Sequence, residues 1–416
     1  MEKKKEETIY IKAKLLIDGT GKDPMANPVI VVKGDKISDV GKEGEIETIG
    51  DAKIVDLEDL TLLPGLTDAH VHILGERSYS PAEDIIVPHD LKVIRAVEDC
   101  QKLLKAGFTM VRDLGSSISL SLKKAINEGT IIGPRIFAAG RTISQTGGHS
   151  DIHYLPREEV LKMGVLLADG PDDCRRAARE ALRDGADVIK IMTSGGVGSE
   201  KDDPRYPQFT VEEVKAITEE AHRIGRRVAS HAEGAEGVKI AIAGGVDSVE
   251  HGYFLDEESV QMMLEHDVFF VPTLCLVEVY KKSLEKPLDM PPWRLRKQEE
   301  CIDAMPKSFM MAYKAGVKIA TGSDFFGPPM RAHGENAAEP ITMVKYGMTP
   351  MDAILAATKN AAECIGIEKS VGTVEKGKLA DVVGVKGNPL IDINALKNVE
   401  FVMKEGVIYK KPKSAT

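Results

Sequence analysis

The stretch from Leu63 to His72 reads LPGLTDAHVH, an apolar run that opens with Pro and Gly and ends in two histidines. Side chains two positions apart on a β-strand point to the same face of the sheet. If the run is a strand, the imidazoles of His70 and His72 therefore reach the same point in space. The stretch predicts a buried strand that ends at a polar site.

Seven further apolar segments follow, and each gap between them carries a helical pattern, such as DDCRRAAREALRDGA at 172–186 or TVEEVKAITEEAHRIG at 210–225. The eight predicted strands lie at 65–72, 108–115, 135–140, 187–196, 227–234, 247–254, 268–274 and 318–324. Strands that alternate with helices are typical of an α/β fold with a parallel sheet. Eight such units over roughly 300 residues predict a (β/α)8 TIM barrel, and an open doubly wound sheet is the alternative.

The two ends of the chain have a different pattern, that of short alternating strands. It covers residues 8–59, with a hairpin turn at Gly34-Asp35, and it returns at 372–385 and 398–411. Since a lone hairpin would be marginally stable, we expect the two ends to pair. The sequence predicts a small composite β-sandwich domain from residues 1–63 and 366–416, and a catalytic barrel from residues 64–365.

The composition indicates a globular, soluble protein. The chain has 416 residues, of which 43% are hydrophobic and 29% charged, and its net charge of −10 argues against a nucleic-acid partner. Its five cysteines are scattered without a C-x-x-C pair, as expected in a reducing compartment. The charged amino-terminal stretch has no apolar core, and no run of eighteen apolar residues occurs. These features predict a cytoplasmic protein without a membrane partner.

Polar side chains recur near the carboxyl ends of the predicted strands. They are His70, His72, Lys190, His231, His251 and Asp324. Each has an ordinary explanation by itself: a lone histidine is most often a hydrogen-bonded core residue, and Asp324 could cap a helix. In a barrel, however, all these ends open onto one face. Imidazole and carboxylate ligands that converge there predict a site for divalent metal.

Five segments carry a family resemblance. PGLTDAHVH, VIKIMTSGG, ASHAEG, SVEHGYF and TGSD, in this order, resemble the binuclear-metal branch of the amidohydrolase superfamily. The run at 345–385 resembles that superfamily's closing helices and returning sheet, so the similarity covers nearly the whole chain. Within the superfamily the chain most resembles the imidazolonepropionase-related group, which includes Xaa-Pro dipeptidases and carboxypeptidase-like enzymes.

The resemblance implies a role for each predicted ligand. Lys190 would be carboxylated by CO₂, and its carbamate would bridge two divalent metals, which removes the problem of a buried ammonium. The more buried metal would be bound by His70, His72 and Asp324, and the outer metal by His231 and His251. Family members are commonly oligomeric, so the resemblance also implies a homo-oligomer.

The expected mechanism follows from metal chemistry. A water molecule that bridges two divalent ions gives a hydroxide near neutral pH, and the outer metal polarises the scissile carbonyl. Asp324 would take the proton from the water and deliver it to the leaving nitrogen. Zinc is the default metal, and manganese, iron or cobalt would also accept these ligands.

Four further residues are candidates for contact with the substrate. His149, in SQTGGHSD, matches a histidine that contacts the substrate carbonyl in similar enzymes, so it is expected to stabilise the transition state; the alternative is an exposed loop histidine. Tyr253 and Arg331 could bind a free α-carboxylate, although Arg331 could also be a plain surface arginine. Glu233 stands where some prolidases of the group carry tyrosine. It could accept an ammonium or guanidinium group, or form a structural ion pair.

The leading hypothesis is a metal-dependent amidohydrolase that cleaves the amide bond of a dipeptide or an N-acyl amino acid, as a Xaa-Pro dipeptidase or carboxypeptidase does. The alternative is hydrolysis of a cyclic amide, as imidazolonepropionase performs. A hypothesis of another class is a catalytically silent barrel that acts as a binding protein. All six expected ligand positions are filled, which disfavours that last hypothesis.

Overall fold

The structure is a computed structural model, and it describes residues 8–47, 52–80, 83–288 and 290–412. The chain forms two compact units. One comprises the described parts of 1–68, 101–110 and 334–416, and the other comprises the described parts of 69–100 and 111–333.

The elements are numbered here in chain order. The strands are β1 Thr8–Leu16, β2 Met25–Ala26, β3 Pro28–Lys33, β4 Lys36–Lys42, β5 Lys53–Pro64, β6 Leu66–Val71, β7 Phe108–Asp113, β8 Arg135–Ala138, β9 Thr142–Ser144, β10 Val165–Leu167, β11 Val188–Met192, β12 Arg227–Gly234, β13 Ser248–Phe254, β14 Phe269–Val271, β15 Val382–Lys386, β16 Val399–Lys404 and β17 Val407–Lys410. The α-helices are α1 Glu83–Ile86, α2 His89–Lys105, α3 Ser119–Asn127, α4 Arg157–Lys162, α5 Pro171–Asp184, α6 Val211–His222, α7 Ala235–Ala243, α8 Glu257–Glu265, α9 Leu276–Glu285, α10 Pro292–Ile302, α11 Ala304–Ala315, α12 Ala338–Lys345, α13 Pro350–Ala356 and α14 Lys359–Ile365. A 3-10 helix spans Ile393–Lys397.

The strands from the two chain ends form one eight-stranded sheet. Its order is β17-β16-β15-β5-β1-β3-β4, and β2 pairs with β1. The antiparallel pairing of β15 with β5 aligns Val382 with Pro64, which confirms that the ends pair. Ile11, Leu62 and Phe401 are fully buried in its core. This apolar face explains why strands so far apart in sequence pair with each other.

The segments between the chain ends form parallel sheets. One has the order β10-β9-β11-β12-β13-β14, in which each neighbouring pair is parallel, and a second has the order β6-β7-β8. The first seven predicted strands correspond to β6, β7, β8, β11, β12, β13 and β14. The sequence analysis did not predict β9 and β10, because three residues are too few to show an alternating pattern.

The eighth predicted strand, at 318–324, is not a regular strand in the structure. The segment makes isolated parallel bridges instead, between Ile319 and Phe270 and between Phe325 and Val71. Asp324 has a φ of 55°, a left-handed conformation that does not fit an extended ladder. The segment is therefore hydrogen-bonded to β14 on one side and β6 on the other without forming a continuous strand.

The helical patterns at 172–186 and 210–225 correspond to α5 and α6. A capping box at Thr210 and Glu213 fixes the start of α6, because each side chain accepts from the backbone of the other residue. In the part of the chain that the structure describes, no helix has the length and apolar character needed to cross a membrane.

The register of the parallel sheet positions three of the predicted ligands. Lys190 of β11 lies opposite Ala229, and Met192 lies opposite His231 of β12. His251 of β13 lies opposite Ala232. Because the strands are parallel, His251 lies one residue beyond His231 along the sheet, and Lys190 lies two residues before His231 on the neighbouring strand.

Candidate metal centre and active site

His70, His72 and Asp324 form a compact group of potential metal ligands, with ligand atoms within 4.8 Å of one another. The Nε2 atoms of the two histidines are 3.3 Å apart. Asp324 Oδ1 lies 3.2 Å from Nε2 of His72 and 3.5 Å from Nε2 of His70. The prediction that these three residues meet agrees with this geometry.

A buried carboxylate orients His70. Glu250 accepts a hydrogen bond from His70 Nδ1 at 2.9 Å, which leaves Nε2 with its lone pair toward the group. Glu250 also accepts from the Arg112 guanidinium at 2.8 Å and from the Ser248 hydroxyl at 2.6 Å. Arg112 donates further to the carbonyl of Ala69 at 2.6 Å. The sequence analysis missed Arg112 and Glu250, although each is a charge within an apolar strand.

The orientation of His72 is also determined by its other ring nitrogen. His72 Nδ1 lies 3.0 Å from the carbonyl of Gly115, and since a carbonyl only accepts, Nδ1 carries the proton. Burial opposes a charge on His72, but its hydrogen bond to Asp324 and the negative charges of Asp324 and Asp113 together raise the pKa of His72. Burial and the nearby Lys190 ammonium lower the pKa of His70 well below its usual range.

The chemistry of this group fits a bound cation. Two imidazole lone pairs and a carboxylate oxygen converge at 3.2 to 3.5 Å, where they repel one another unless a cation or proton lies between them. Burial alone would raise the pKa of Asp324, but the hydrogen bond with His72 and the charge of Arg331 help to hold it well below its usual range. Neutral imidazoles and an ionised carboxylate are the forms that bind metal.

Lys190 is buried without a hydrogen-bond partner. Lys190 is only 1% exposed, and its Nζ atom has no hydrogen-bond acceptor among the described residues. Burial is the main cause that lowers the pKa of Lys190 to about 8. A buried amine without a partner is costly as an ammonium, so this environment fits a group that would satisfy the nitrogen.

His231 and His251 lie beside the three-residue group. The ring of His251 is 4.9 Å from the ring of His70 and 4.6 Å from that of His231, measured between centroids. His251 Nδ1 contacts the Thr273 hydroxyl at 2.9 Å, and His231 Nε2 donates to the carbonyl of Gly195 at 3.1 Å. Burial lowers the pKa of both rings well below the usual range. Both rings thus lie near the group of His70, His72 and Asp324. Among the described residues they form no compact ligand group of their own.

Two of the predicted ligands have strained backbones. His251 has a φ of 76° and Asp324 a φ of 55°, values that non-glycine residues rarely adopt. Such a conformation costs on the order of 1–3 kcal/mol and tends to occur at functional sites. Asp324 is also not a helix cap, since no helix begins at this residue.

His149 is half-buried and belongs to the same pocket. Its ring stacks on that of His231, with a centroid distance of 4.0 Å and an interplanar angle of 13°. Its Nδ1 contacts the Ser199 hydroxyl at 2.8 Å. The alternative of an exposed loop histidine does not describe this environment.

Glu233 is buried with one satisfied oxygen. Its Oε1 accepts from the backbone N–H of Val197 at 3.1 Å, while Oε2 has no partner among the described residues. Burial is the main cause that raises the pKa of Glu233 well above its usual range. Among the described residues Glu233 has no ion pair with lysine or arginine, and its Oε1 lies 3.7 Å from Nε2 of His231, a ring that its lowered pKa keeps neutral.

Arg331 is not a plain surface arginine, because it is only 4% exposed. Its guanidinium donates to Asp324 Oδ2 at 3.1 Å and stacks near the rings of Tyr280 and Phe326. Tyr253 is buried, with its hydroxyl 3.2 Å from that of Thr273. Both predicted substrate residues therefore already have protein partners.

A second guanidinium, that of Arg294, was missed by the sequence analysis. Arg294 lies in α10, within a proline-rich stretch that the sequence alone does not connect to the site. Its Nε and that of Arg331 are buried and have no hydrogen-bond partner in the described chain. Both residues line the pocket described next, so two cations face the same space.

The predicted site residues border one cavity of about 330 Å³. Its lining includes the six predicted ligands His70, His72, Lys190, His231, His251 and Asp324. It also includes His149 and the three predicted substrate residues Glu233, Tyr253 and Arg331. This volume suits a small molecule rather than a polymer.

Comparisons with known proteins agree with this picture. The profile of the Amidohydrolase family matches residues 61–409. An ochratoxinase from Aspergillus niger is 37% identical over 97% of this chain and 86% of its own length. The structure of a Xaa-Pro dipeptidase with bound methionine is 40% identical, with a TM-score of 0.88, over 97% of this chain and all of that one. An imidazolonepropionase from Symbiobacterium thermophilum is 24% identical over 85% of this chain and 82% of its own length.

The family match covers more than half of the chain, and the ochratoxinase exceeds 30% identity over nearly all of it. The resemblance found in the sequence is thereby confirmed. The chain belongs to the amidohydrolase family.

Proposed function

We propose that this protein is a metal-dependent amidohydrolase that cleaves the amide bond of a dipeptide or an N-acyl amino acid. The observation that carries the proposal is the group of His70, His72 and Asp324 next to the unpartnered amine of Lys190. Ligands of this kind suit a divalent ion, for which zinc is our default. The dipeptidase and ochratoxinase among the similar proteins support amide hydrolysis.

We propose the ligand sets for two ions that the family resemblance implies. His70, His72 and Asp324 would hold one ion, and His231 with His251 would hold the other. The Lys190 amine would react with CO₂, release a proton and become a carbamate anion, which would supply a further oxygen ligand and satisfy the buried nitrogen. Bound divalent ions supply Lewis acidity that activates water and polarises a carbonyl.

The protein groups then move the proton and stabilise charge. Asp324 takes a proton from the attacking water and delivers it to the leaving nitrogen. His149 stabilises the negative charge that develops on the carbonyl oxygen of the substrate. Arg331 donates to Asp324 Oδ2, so it holds this carboxylate in place while Oδ1 faces the two histidines.

The pocket supports a substrate with a free carboxylate. Arg331 and Arg294 each have a buried Nε without a partner in the described chain, and both line the cavity. Arginine is suited to bidentate binding of carboxylates, and Tyr253 could add a hydroxyl. Oε2 of Glu233, which has no partner among the described residues, would accept a hydrogen bond from an ammonium or guanidinium group of the substrate. A proline ring offers no such donor.

We also propose that the parallel strands close into the (β/α)8 barrel. The bridges from Phe325 to Val71 and from Ile319 to Phe270 support closure, because they join the first and seventh predicted strands through the eighth segment. In such a barrel the catalytic groups lie at the carboxyl ends of the strands.

The test is a substrate panel. Zinc-loaded protein is incubated with L-Xaa-L-Xaa dipeptides, N-acyl amino acids, ochratoxin and cyclic amides, and the products are followed by mass spectrometry. We expect release of one class of carboxyl-terminal amino acid, with cationic residues preferred over proline. Cleavage of cyclic amides alone would favour the imidazolonepropionase-like alternative and contradict the proposal.

A further inference from the structure

We propose that Lys297 and Asp202 are positioning residues that orient His149 for catalysis. The proposal rests on the function proposed above, in which His149 stabilises the transition state. It concerns the loop of residues 195–202, which follows β11, and helix α10, which carries Lys297.

Lys297 is a buried cation whose donors are all directed at this loop. Its Nζ donates to the carbonyls of Ser199 at 2.7 Å and Gly196 at 3.0 Å, to the carbonyl of Asp202, and to Asp202 Oδ1 at 3.1 Å. An ammonium has three protons, so these four oxygens saturate it. Lys297 is 5% exposed, and burial of an ammonium costs free energy. This cost indicates that the position of the loop matters.

From Asp202 the hydrogen bonds continue to the His149 ring. Asp202 Oδ1 accepts from the Ser199 hydroxyl, and Ser199 Oγ lies 2.8 Å from His149 Nδ1. Since a carboxylate only accepts, the hydroxyl proton is directed to Asp202 and His149 Nδ1 carries its own proton. His149 Nε2 is therefore the ring nitrogen left for the substrate, and it can donate to the developing oxyanion when the ring carries a proton on both nitrogens.

A second connection holds the His149 backbone. The side chain of Gln208 donates to Asp202 Oδ2 at 3.1 Å and accepts from the backbone N–H of His149 at 2.9 Å. Asp202 thus fixes both the orientation of the His149 ring and the position of the His149 backbone.

The loop also contacts the ring directly. A Cβ added to Gly196 would lie 2.3 Å from His149 Cε1 and 2.8 Å from His231 Nε2, so only glycine fits between backbone and rings. A small displacement of the loop would move the stacked pair of histidines. By holding the carbonyl of Gly196, Lys297 prevents this displacement.

The first test is a double-mutant cycle on a substrate from the panel. Lys297→Met should lower kcat about 10–100-fold, the usual cost of losing an orienting partner, and change KM less than about threefold. In a His149→Ala background the same substitution should cost less than about twofold, because the residue it positions is absent. An equal loss in both backgrounds would overturn the proposal.

Two further variants keep the cycle decisive. Ser199→Ala removes one oxygen from the middle of the connection and should lower kcat in the same way, even if Lys297→Met folds poorly. Lys239→Met is the matched control, since Lys239 binds three carboxylates, of Glu236, Asp256 and Glu258, outside the pocket. It should leave kcat unchanged, and a loss equal to that of Lys297→Met would contradict a positioning role.

The second test does not depend on activity. Nitrogen-15 spectra of the histidine rings, ten in this chain, report the tautomer of each, and the His149 signal is assigned by its loss in His149→Ala. We expect the His149 signals to show a proton fixed on Nδ1, which Lys297→Met converts to exchange between the two ring nitrogens; an unchanged spectrum would overturn the proposal. A wild-type protein that cleaves no amide would refute the proposed function, and these spectra would still decide the positioning link.

Discussion

Glu250 is the residue on which the charge balance of the site depends. It lies between the His70 ring and the Arg112 guanidinium, and both charged residues are essentially inaccessible to solvent. A carboxylate behind a metal-binding histidine fixes the ring and raises its basicity. Arg112 in turn neutralises the carboxylate. The orientation of His70 therefore depends on Glu250, and the burial of Glu250 depends on Arg112.

Removal of Arg112 should therefore be strongly destabilising. Arg112→Met leaves the Glu250 carboxylate buried with a neutral partner at Ser248 and the ring of His70. We expect a loss of about 3–5 kcal/mol in the free energy of unfolding, the usual cost of breaking a buried ion pair from one side. Denaturant unfolding at neutral pH measures it.

The control for this prediction removes both charges. In the double variant Arg112→Met with Glu250→Gln, no uncompensated charge remains, and Gln can still accept from His70 Nδ1. The double variant should be more stable than Arg112→Met alone. If the single variant unfolded like the wild type, the buried pair would not have the importance given to it here.

Asp324→Asn tests the proposed proton transfer. The amide keeps the size of the side chain and one oxygen that faces His70 and His72, but it cannot take a proton. We expect kcat to fall about 10²- to 10⁴-fold while metal stays bound, as judged by elemental analysis of the same sample. Undiminished turnover in the metal-loaded variant would exclude Asp324 as the proton carrier.

The candidate metal ligands could be singled out in the sequence because histidines and a lysine interrupt strands that are otherwise apolar. Arg112 and Glu250 interrupt strands in the same way, but their roles depend on a contact across 138 positions that the sequence does not display. Arg331 was ambiguous for the opposite reason, since an arginine in a polar loop gives no sign of its burial. Lys297 was hidden in a charged helix, where a solvated lysine is the ordinary expectation.

Among the elements, the eighth predicted strand shows where pattern and structure diverge. Its apolar composition is that of a strand, but Asp324 has a left-handed backbone and the segment makes only isolated bridges. The helices α5 and α6 were predicted well, because their apolar residues recur at helical spacing and Thr210 with Glu213 marks the start of α6.

The packing of α5 against α6 should depend on pH through Glu220. This carboxylate of α6 accepts from Arg175 and Arg179 of α5, and the hydrogen bond from Arg179 is the main cause that lowers the pKa of Glu220 from 4.5 to about 2. The folded state thus favours the ionised form, which stabilises it fully above about pH 4.5. The stabilisation is lost as the pH falls from about 4.5 to 2. Because the arginines are partly exposed, we expect Glu220→Gln to cost only about 1 kcal/mol at neutral pH and almost nothing near pH 2.

Glu219→Gln is the matched control for that experiment. Glu219 also accepts from Arg175, at 3.2 Å, but its side chain is 58% exposed. Unfolding free energies of both variants should be compared across the acidic range. An equal pH dependence for the two would contradict the special role of Glu220.

At the scale of the molecule, the candidate chemistry is confined to one compact unit. Every ligand and substrate residue named here falls within 69–100 or 111–333. The eight-stranded sheet, formed by the chain ends, has its own buried core around Ile11 and Phe401. The parallel strands therefore position the site, and the described sheet of the other unit contributes none of its candidate residues.

Metal removal should destabilise the unit that carries the ligands. An ion that binds only the folded state stabilises it by about 3 kcal/mol at a free concentration near 100 times its Kd. Reloading a chelated sample with zinc and bicarbonate should slow amide hydrogen exchange in β11, β12 and β13, and leave exchange in β1 and β16 unchanged. Equal exchange in both samples would indicate that the group binds no metal.

We propose that this pocket hydrolyses an amide bond with the help of bound metal. The most direct measurement follows the best substrate of the panel in ¹⁸O-labelled water, first with chelated protein and then after addition of zinc. We predict no cleavage without metal, and with metal the release of an amino acid and one ¹⁸O atom in the newly formed carboxyl group. Cleavage at the same rate in the chelated sample, or no cleavage with two zinc ions bound, would contradict the account.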